Sequence, residues 1–94
     1  MFDIRVENGG MVKLIGRLDA SQAARAREAL KGIDCPVILD LSGLDYISSA
    51  GIGVIIEVYK RLHGKRLSLR LVKLKPGVRA VFGFAGLESL LAIE

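Results

Sequence analysis

A chain of 94 residues with 51% hydrophobic residues is long enough for one domain with its own core and too apolar for a disordered chain. No apolar run reaches the roughly 20 residues that cross a bilayer, and no signal peptide is recognisable, so the sequence predicts a cytoplasmic protein without membrane insertion. The 14 basic residues, which give a net charge of +4, are scattered among ten acids, and only five aromatic side chains are present. Both features argue against nucleic-acid binding.

The first third of the chain predicts a hairpin followed by a helix. Phe2 to Glu7 and Met11 to Gly16 have the composition of strands, and the Asn-Gly-Gly turn between them favours a hairpin. Asp19 or Ser21 is expected to cap a helix that runs to about Lys31. The predicted buried face of that helix consists of Ala23, Ala26 and Leu30.

A central strand and a long helix are predicted in the middle of the chain. The run from Val37 to Leu41 is nearly all apolar, which is typical of a strand covered on both faces, and local backbone donors are expected to satisfy Asp40. The polar residues that follow are interpreted as a turn, and a helix is expected from Ser49 to His63. Its predicted buried stripe consists of Ile52, Ile55, Ile56, Tyr59 and Leu62.

The last part of the chain predicts one further strand and helix. Leu67 to Leu71 alternates apolar and polar residues, and Pro76 fits the first turn of a helix that Gly86 ends. The predicted order is β-β-α-β-α-β-α, with a short leucine-containing turn at the end. Such strand–helix–strand units favour right-handed crossovers and a mixed, mostly parallel sheet of about four strands with helices packed on it. We expect residues 1–94 to form a single α/β domain.

Residues that carry catalysis or bind metals are scarce. His63 is the only histidine and lies near a predicted helix end, where packing or capping explains it. Cys35 is the only cysteine; it has no candidate base nearby and fits a reducing compartment. This set cannot build a zinc site, and Gly51-Ile52-Gly53 lacks the continuation of a nucleotide-binding loop. The sequence therefore predicts a protein that is not an enzyme and has no metal or cofactor.

Two adjacent serines stand where the long helix should begin. Ser48 and Ser49 can each cap the helix, and a phosphate there would face free N–H groups and the positive end of the helix dipole. Gly51 and Gly53 each cost about 0.5–1 kcal/mol relative to alanine in a helix, so helix stability does not explain them. For Gly51, close packing on a strand and partner docking explain the glycine equally well. Gly53 and Val54 are predicted to point away from the buried stripe, in an exposed patch for a partner.

Three segments together resemble one protein family. The stretch from Leu39 to Gly53 is similar to the signature of the STAS family, which includes the anti-sigma factor antagonists. Gly16-Arg17-Leu18-Asp19 resembles the family's strand-end motif, and the segment from Leu71 to Leu87 resembles its last strand and helix. The likeness covers essentially the whole chain, with the segments in the family's order.

This resemblance implies a regulatory function. In such proteins a partner anti-sigma factor, a serine kinase of the GHKL type, phosphorylates a serine at the start of the second helix. The dephosphorylated form binds that partner and frees a sigma factor. Carried onto this chain, the acceptor is Ser49; Ser48 stands where the family commonly has an acid and is an alternative acceptor. The predicted partner-binding residues are Asp19, Ser48, Ser49, Gly51, Gly53 and Val54.

Two other functions stay open at the level of the sequence. An unphosphorylated accessory subunit of another complex, such as a lipid-transport ABC system, is the nearer alternative, and the missing acid at Ser48 favours it. A small basic nucleic-acid-binding domain is the more distant one and depends on the net charge of +4 alone. Neither the partner's identity nor the oligomeric state follows from the sequence.

Overall fold

The computed structural model describes residues 1–94 as five strands and three α-helices, with one turn of 3₁₀ helix at Asn8–Gly10 between the first two strands. In chain order they are β1 (Phe2–Val6), β2 (Met11–Leu18), α1 (Ala23–Leu30), β3 (Val37–Ile47), α2 (Ser49–Gly64), β4 (Leu69–Val72), α3 (Pro76–Phe84) and β5 (Ala92–Ile93). This order confirms the predicted alternation and adds a fifth strand. None of the helices is long and apolar enough to traverse a bilayer.

The strands form one sheet in the order β1-β2-β3-β4-β5, with β1 antiparallel to β2 and all other neighbours parallel. The α/β class and the antiparallel hairpin at one edge are therefore as predicted. β5 pairs with β4 only through Arg70↔Ala92 and Leu71↔Ile93. β5 cannot be predicted from the sequence pattern, because a strand of two residues has no alternation to detect.

The buried apolar side chains of the sheet lie on the face that the helices cover. When parallel strands lie side by side in chain order, right-handed crossovers put every connecting helix on the same side. In β3, Val37, Leu39 and Leu41 are buried, whereas Ile38 is half-buried and Ser42 is exposed. The prediction that this strand is covered on both faces is therefore wrong. We call the uncovered side the open face; it carries Met11, Lys13, Ile15, Arg17, Ile38, Tyr46, Arg70 and Val72.

α2 contacts both the sheet and α1, so its buried face is wider than the predicted stripe. Ile52, Ile55 and Leu62 are buried as expected, and two other members of the stripe are half-buried. Val54 and Val58 are buried as well, and Val54 is 0% exposed. The prediction that Val54 points away from the core is wrong, because a helix covered from two directions buries more than one stripe.

The start of α1 also differs from the prediction that Asp19 or Ser21 caps it. Gln22 precedes the helix, and its side chain makes no capping hydrogen bond. The Asp19 carboxylate instead accepts hydrogen bonds from the N–H (3.1 Å) and the hydroxyl (2.6 Å) of Ser21, and so closes a turn before the helix. The predicted inner face is confirmed, since Ala23, Ala26 and Leu30 are buried.

β3 continues past Leu41 to Ile47, through the segment predicted as a turn. Its pairing with β2 shifts register twice, and β3 holds one extra residue at each shift. At the first shift the Ser42 N–H donates to the Asp40 carboxylate (2.9 Å), so a local backbone donor satisfies this buried acid as expected. The two bulges let β3 stay paired with β2 to its end, and the chain enters α2 beside Leu18.

Candidate functional site

The carboxyl ends of β2 and β3 lie side by side, and the predicted site residues follow these ends. Leu18 pairs with Ile47 across the two strands, and the Ser48 N–H donates to the Leu18 carbonyl oxygen (2.9 Å). Asp19 follows the first strand, and Ser48 and Ser49 follow the second. The structure therefore brings Asp19 to the same edge of the sheet as the two serines.

Ser48 and Ser49 have different environments. Ser48 is the N-cap of α2: its backbone is extended, and its Oγ accepts a hydrogen bond from the Gly51 N–H (3.2 Å). Ser49 is the first residue of the helix, and it is exposed, with a hydroxyl that makes no hydrogen bond within the chain. One hydroxyl is therefore used by the fold, and the other is free.

Gly51 allows α2 to approach the two strands closely. A Cβ atom on Gly51 would lie 2.8 Å from the Leu18 carbonyl oxygen and 2.8 Å from side-chain carbons of Leu18 and Ile47. The backbone oxygen cannot move without breaking its hydrogen bond to Ser48. Because Gly51 is also buried, close packing on the two strands explains this glycine.

Gly53, unlike Gly51, has open space around it. A Cβ atom there would meet nothing within 4 Å, and the residue is partly exposed. Packing therefore gives no reason for a glycine at this position. We call the surface formed by Asp19, Ser48, Ser49 and Gly53 the serine edge.

Two acids with lowered pKa values lie at or next to the serine edge. Hydrogen bonds from Ser21 hold the pKa of Asp19 below its usual range, with help from the positive charge of Arg17. The Asp45 carboxylate is ion-paired with Lys75, which lowers the pKa of Asp45, and Arg17 lowers it further. The sequence favours a turn residue at Asp45, with a place on a binding rim as the alternative; the residue lies in β3, on the exposed surface, and not in a turn.

Arg17 and Tyr46 form a cation–π pair that was not predicted from the sequence. They are register partners on β2 and β3, and the Arg17 guanidinium carbon lies 4.3 Å from the centre of the Tyr46 ring. The missed signal is the length of β3: only if the strand is extended past its polar residues does Tyr46 fall opposite Arg17. The pair lies on the open face, directly before the residues that lead into the serine edge.

The other singled-out residues lie apart from this edge. His63 stacks on Tyr59 with 5.3 Å between ring centres, in the last turn of α2. Cys35 is an exposed free thiol in the loop before β3. No three His, Cys, Asp or Glu side chains form a group that could hold a metal ion.

The family of the chain follows from a sequence comparison. The STAS domain profile matches residues 3–94, and the chain belongs to this family. BtrV of Bordetella bronchiseptica, a candidate anti-sigma factor antagonist, is 47% identical over 57 residues, which are 61% of this chain but only 49% of BtrV. The anti-sigma F factor antagonist of Paenibacillus polymyxa is 28% identical over 88 residues, which cover 88% of this chain and 75% of that protein.

A solved structure extends the likeness to the fold. The Bacillus cell fate determinant SpoIIAA, in its phosphorylated form, superposes with a TM-score of 0.72 over 100% of this chain and 91% of that chain. The sequence identity is 21%. The two proteins therefore share the fold.

Proposed function

We propose that this protein is an anti-sigma factor antagonist: a regulatory binding protein rather than an enzyme, which acts in the cytoplasm by docking an anti-sigma factor at the serine edge. The observation that carries the proposal is the free, exposed hydroxyl of Ser49 at the first position of α2. The names of the relatives support the function, since both are described as antagonists of this kind.

Ser49 is the proposed phosphorylation switch. Its hydroxyl is exposed, whereas the Ser48 hydroxyl is half-buried and bonded to Gly51, so a kinase reaches Ser49 without undoing the cap. A phosphate on Ser49 adds about −1.5 to −2 charges and three acceptor oxygens near the first-turn N–H groups and the positive end of the helix dipole. The fold should tolerate the phosphate, and its bulk and charge should act on the partner.

The proposed docking surface is smaller than the set of residues that the sequence suggested. Asp19, Ser49 and Gly53 offer an acid, a neutral hydroxyl and a surface without a side chain, which allows close approach of a partner. Ser48 and Gly51 hold the helix start in place. Val54 is not included, because a side chain with no exposed surface cannot touch a partner.

The direct test is phosphorylation by the anti-sigma factor kinase, of the proposed GHKL type, encoded in the same genome. The purified kinase and ATP are incubated with wild-type protein, Ser49→Ala and Ser48→Ala, and the modified site is mapped by mass spectrometry. We expect phosphate on Ser49 in the wild type and in Ser48→Ala, and none in Ser49→Ala. Phosphate on Ser48 alone would overturn the assignment. A kinase that binds the protein but modifies neither serine would instead favour an unphosphorylated accessory subunit.

A further inference from the structure

The Arg17 guanidinium is exposed and oriented, yet it makes no hydrogen bond within the chain. Most other arginines of the protein donate hydrogen bonds from their guanidinium groups. Those that donate hydrogen bonds to a carboxylate or a backbone carbonyl are Arg5, Arg25, Arg27, Arg61 and Arg70. Arg17 thus has all five N–H donors available to a ligand.

The Tyr46 ring biases the orientation of the Arg17 side chain. An exposed cation–π contact of this kind contributes about 0.5–1 kcal/mol, enough to bias the side chain toward one orientation. The guanidinium carbon lies over the ring, and no hydrogen bond within the chain uses the N–H donors of Arg17. Because the side chain is already oriented, less rotamer entropy is lost when those donors bind a planar carboxylate in a bidentate manner.

The position of the pair joins it to the serine edge. Arg17 lies in β2 two residues before Asp19, and Tyr46 lies in β3 two residues before Ser48. Asp19 is engaged by Ser21 and Asp45 by Lys75, so both nearby acids have other partners. Arg17 is therefore the cation beside the serine edge whose hydrogen bonds remain unused.

We propose that Arg17, oriented by Tyr46, binds a carboxylate side chain of the anti-sigma factor that docks at the serine edge. The inference depends on the proposed function, because it names one contact of that same docking site. Arginine and tyrosine are enriched among the residues that dominate interface energies, which fits this assignment. The net charge of +4 also favours approach of an acidic surface.

The test is the affinity of variants for the purified anti-sigma factor from the same genome, measured by isothermal titration calorimetry. We expect Arg17→Ala to weaken binding at least about tenfold, the usual scale for loss of a central arginine contact. Arg17→Lys should be intermediate, since it keeps the charge but loses the planar fork. The matched control is Arg66→Ala. The Arg66 side chain is also exposed and makes no hydrogen bond, but the residue follows the far end of α2. The affinity of this variant for the anti-sigma factor should therefore stay within twofold of the wild type.

Each outcome separates this contact from the proposed function. Wild-type binding that Arg17→Ala leaves unchanged overturns the inference and leaves the antagonist function standing. A wild-type protein that does not bind the anti-sigma factor overturns both. The carboxylate is identified by charge exchange: Arg17→Glu should abolish binding, and one acid-to-lysine substitution on the partner should restore it. If no such substitution restores binding, the carboxylate assignment is wrong.

Discussion

Ser48 and Ser49 are adjacent serines whose hydroxyls have different environments. Ser48 accepts the Gly51 N–H, and its own N–H is bonded to Leu18, so both its side chain and its backbone hold the start of α2. Ser49 points a free hydroxyl at solvent. The resemblance to a family motif singles out the pair, but only the hydrogen bonds separate the two roles.

Ser48→Ala should lower the free energy of unfolding by about 1 kcal/mol, because a first-turn N–H loses its acceptor. Ser49→Ala should change it by less than about 0.5 kcal/mol, as expected for an exposed, unbonded side chain. Urea titration of both variants beside the wild type measures the difference. A larger loss in Ser49→Ala than in Ser48→Ala would contradict the assignment of the cap.

The two glycines of α2 should respond oppositely to the same substitution. Gly51→Ala places a methyl group 2.8 Å from the Leu18 oxygen, and such overpacking typically costs 1–3 kcal/mol. Gly53→Ala has open space and should gain up to about 1 kcal/mol from helix propensity. Thermal unfolding measures both changes. If Gly53→Ala is more stable yet binds the anti-sigma factor less well, the glycine serves docking; unchanged binding would remove Gly53 from the docking surface.

At the scale of elements, β3 shows where sequence patterns stop being informative. The apolar run to Leu41 is visible, but the bulges that carry the strand on to Ile47 interrupt the alternation that marks a strand. The same continuous apolar run predicts cover on both faces, whereas the strand order leaves one face open. Strand order is a long-range property, and no local pattern contains it.

The first bulge of β3 should make stability depend on the ionisation of Asp40. Hydrogen bonds from the backbone and side chain of Ser42 lower the pKa of Asp40. A carboxyl with a lower pKa in the folded state stabilises the fold above its unfolded pKa, about 3.9, and this contribution is lost as the pH falls through the folded value. Asp40→Asn keeps the acceptor oxygen, so it should lose less stability than the wild type below about pH 4. Parallel curves of unfolding free energy against pH for the two proteins would contradict this role.

The exposed edge of β1 is covered by side chains. The Arg25 guanidinium donates a hydrogen bond to the Phe2 carbonyl oxygen (2.6 Å), and the Asp3 carboxylate accepts one from the Ile4 N–H (2.9 Å). These two hydrogen bonds occupy backbone groups of β1 that could otherwise pair with another strand. Arg25→Ala should therefore self-associate at concentrations where the wild type does not. Arg27→Ala is the control, because that arginine of α1 is ion-paired with α2 instead. Sedimentation velocity compares the two; equal behaviour would show that Arg25 does not protect the edge.

At the scale of the whole molecule, the class of fold and the order of the first seven elements could be predicted from periodicity, and the family from a motif. The helix periods of α1 and α2 and the Asn-Gly-Gly turn carry that information locally. The burial of Val54 and the pairing of Arg17 with Tyr46 depend on how elements pack, which the sequence does not display. Both of these revisions concern the candidate site: the first removes Val54 from the proposed docking surface, and the second adds the Arg17–Tyr46 pair beside it.

We propose that phosphorylation of Ser49 controls docking of the anti-sigma factor. The most direct measurement is the affinity of the unmodified protein and of the Ser49-phosphorylated protein for the same purified anti-sigma factor, with Ser49→Ala as the uncharged control. We predict that the unmodified protein and Ser49→Ala bind with similar affinity and that phosphorylation weakens binding by at least about a hundredfold, which is 2.7 kcal/mol or more. Equal affinity of the phosphorylated and unmodified proteins would contradict the claim.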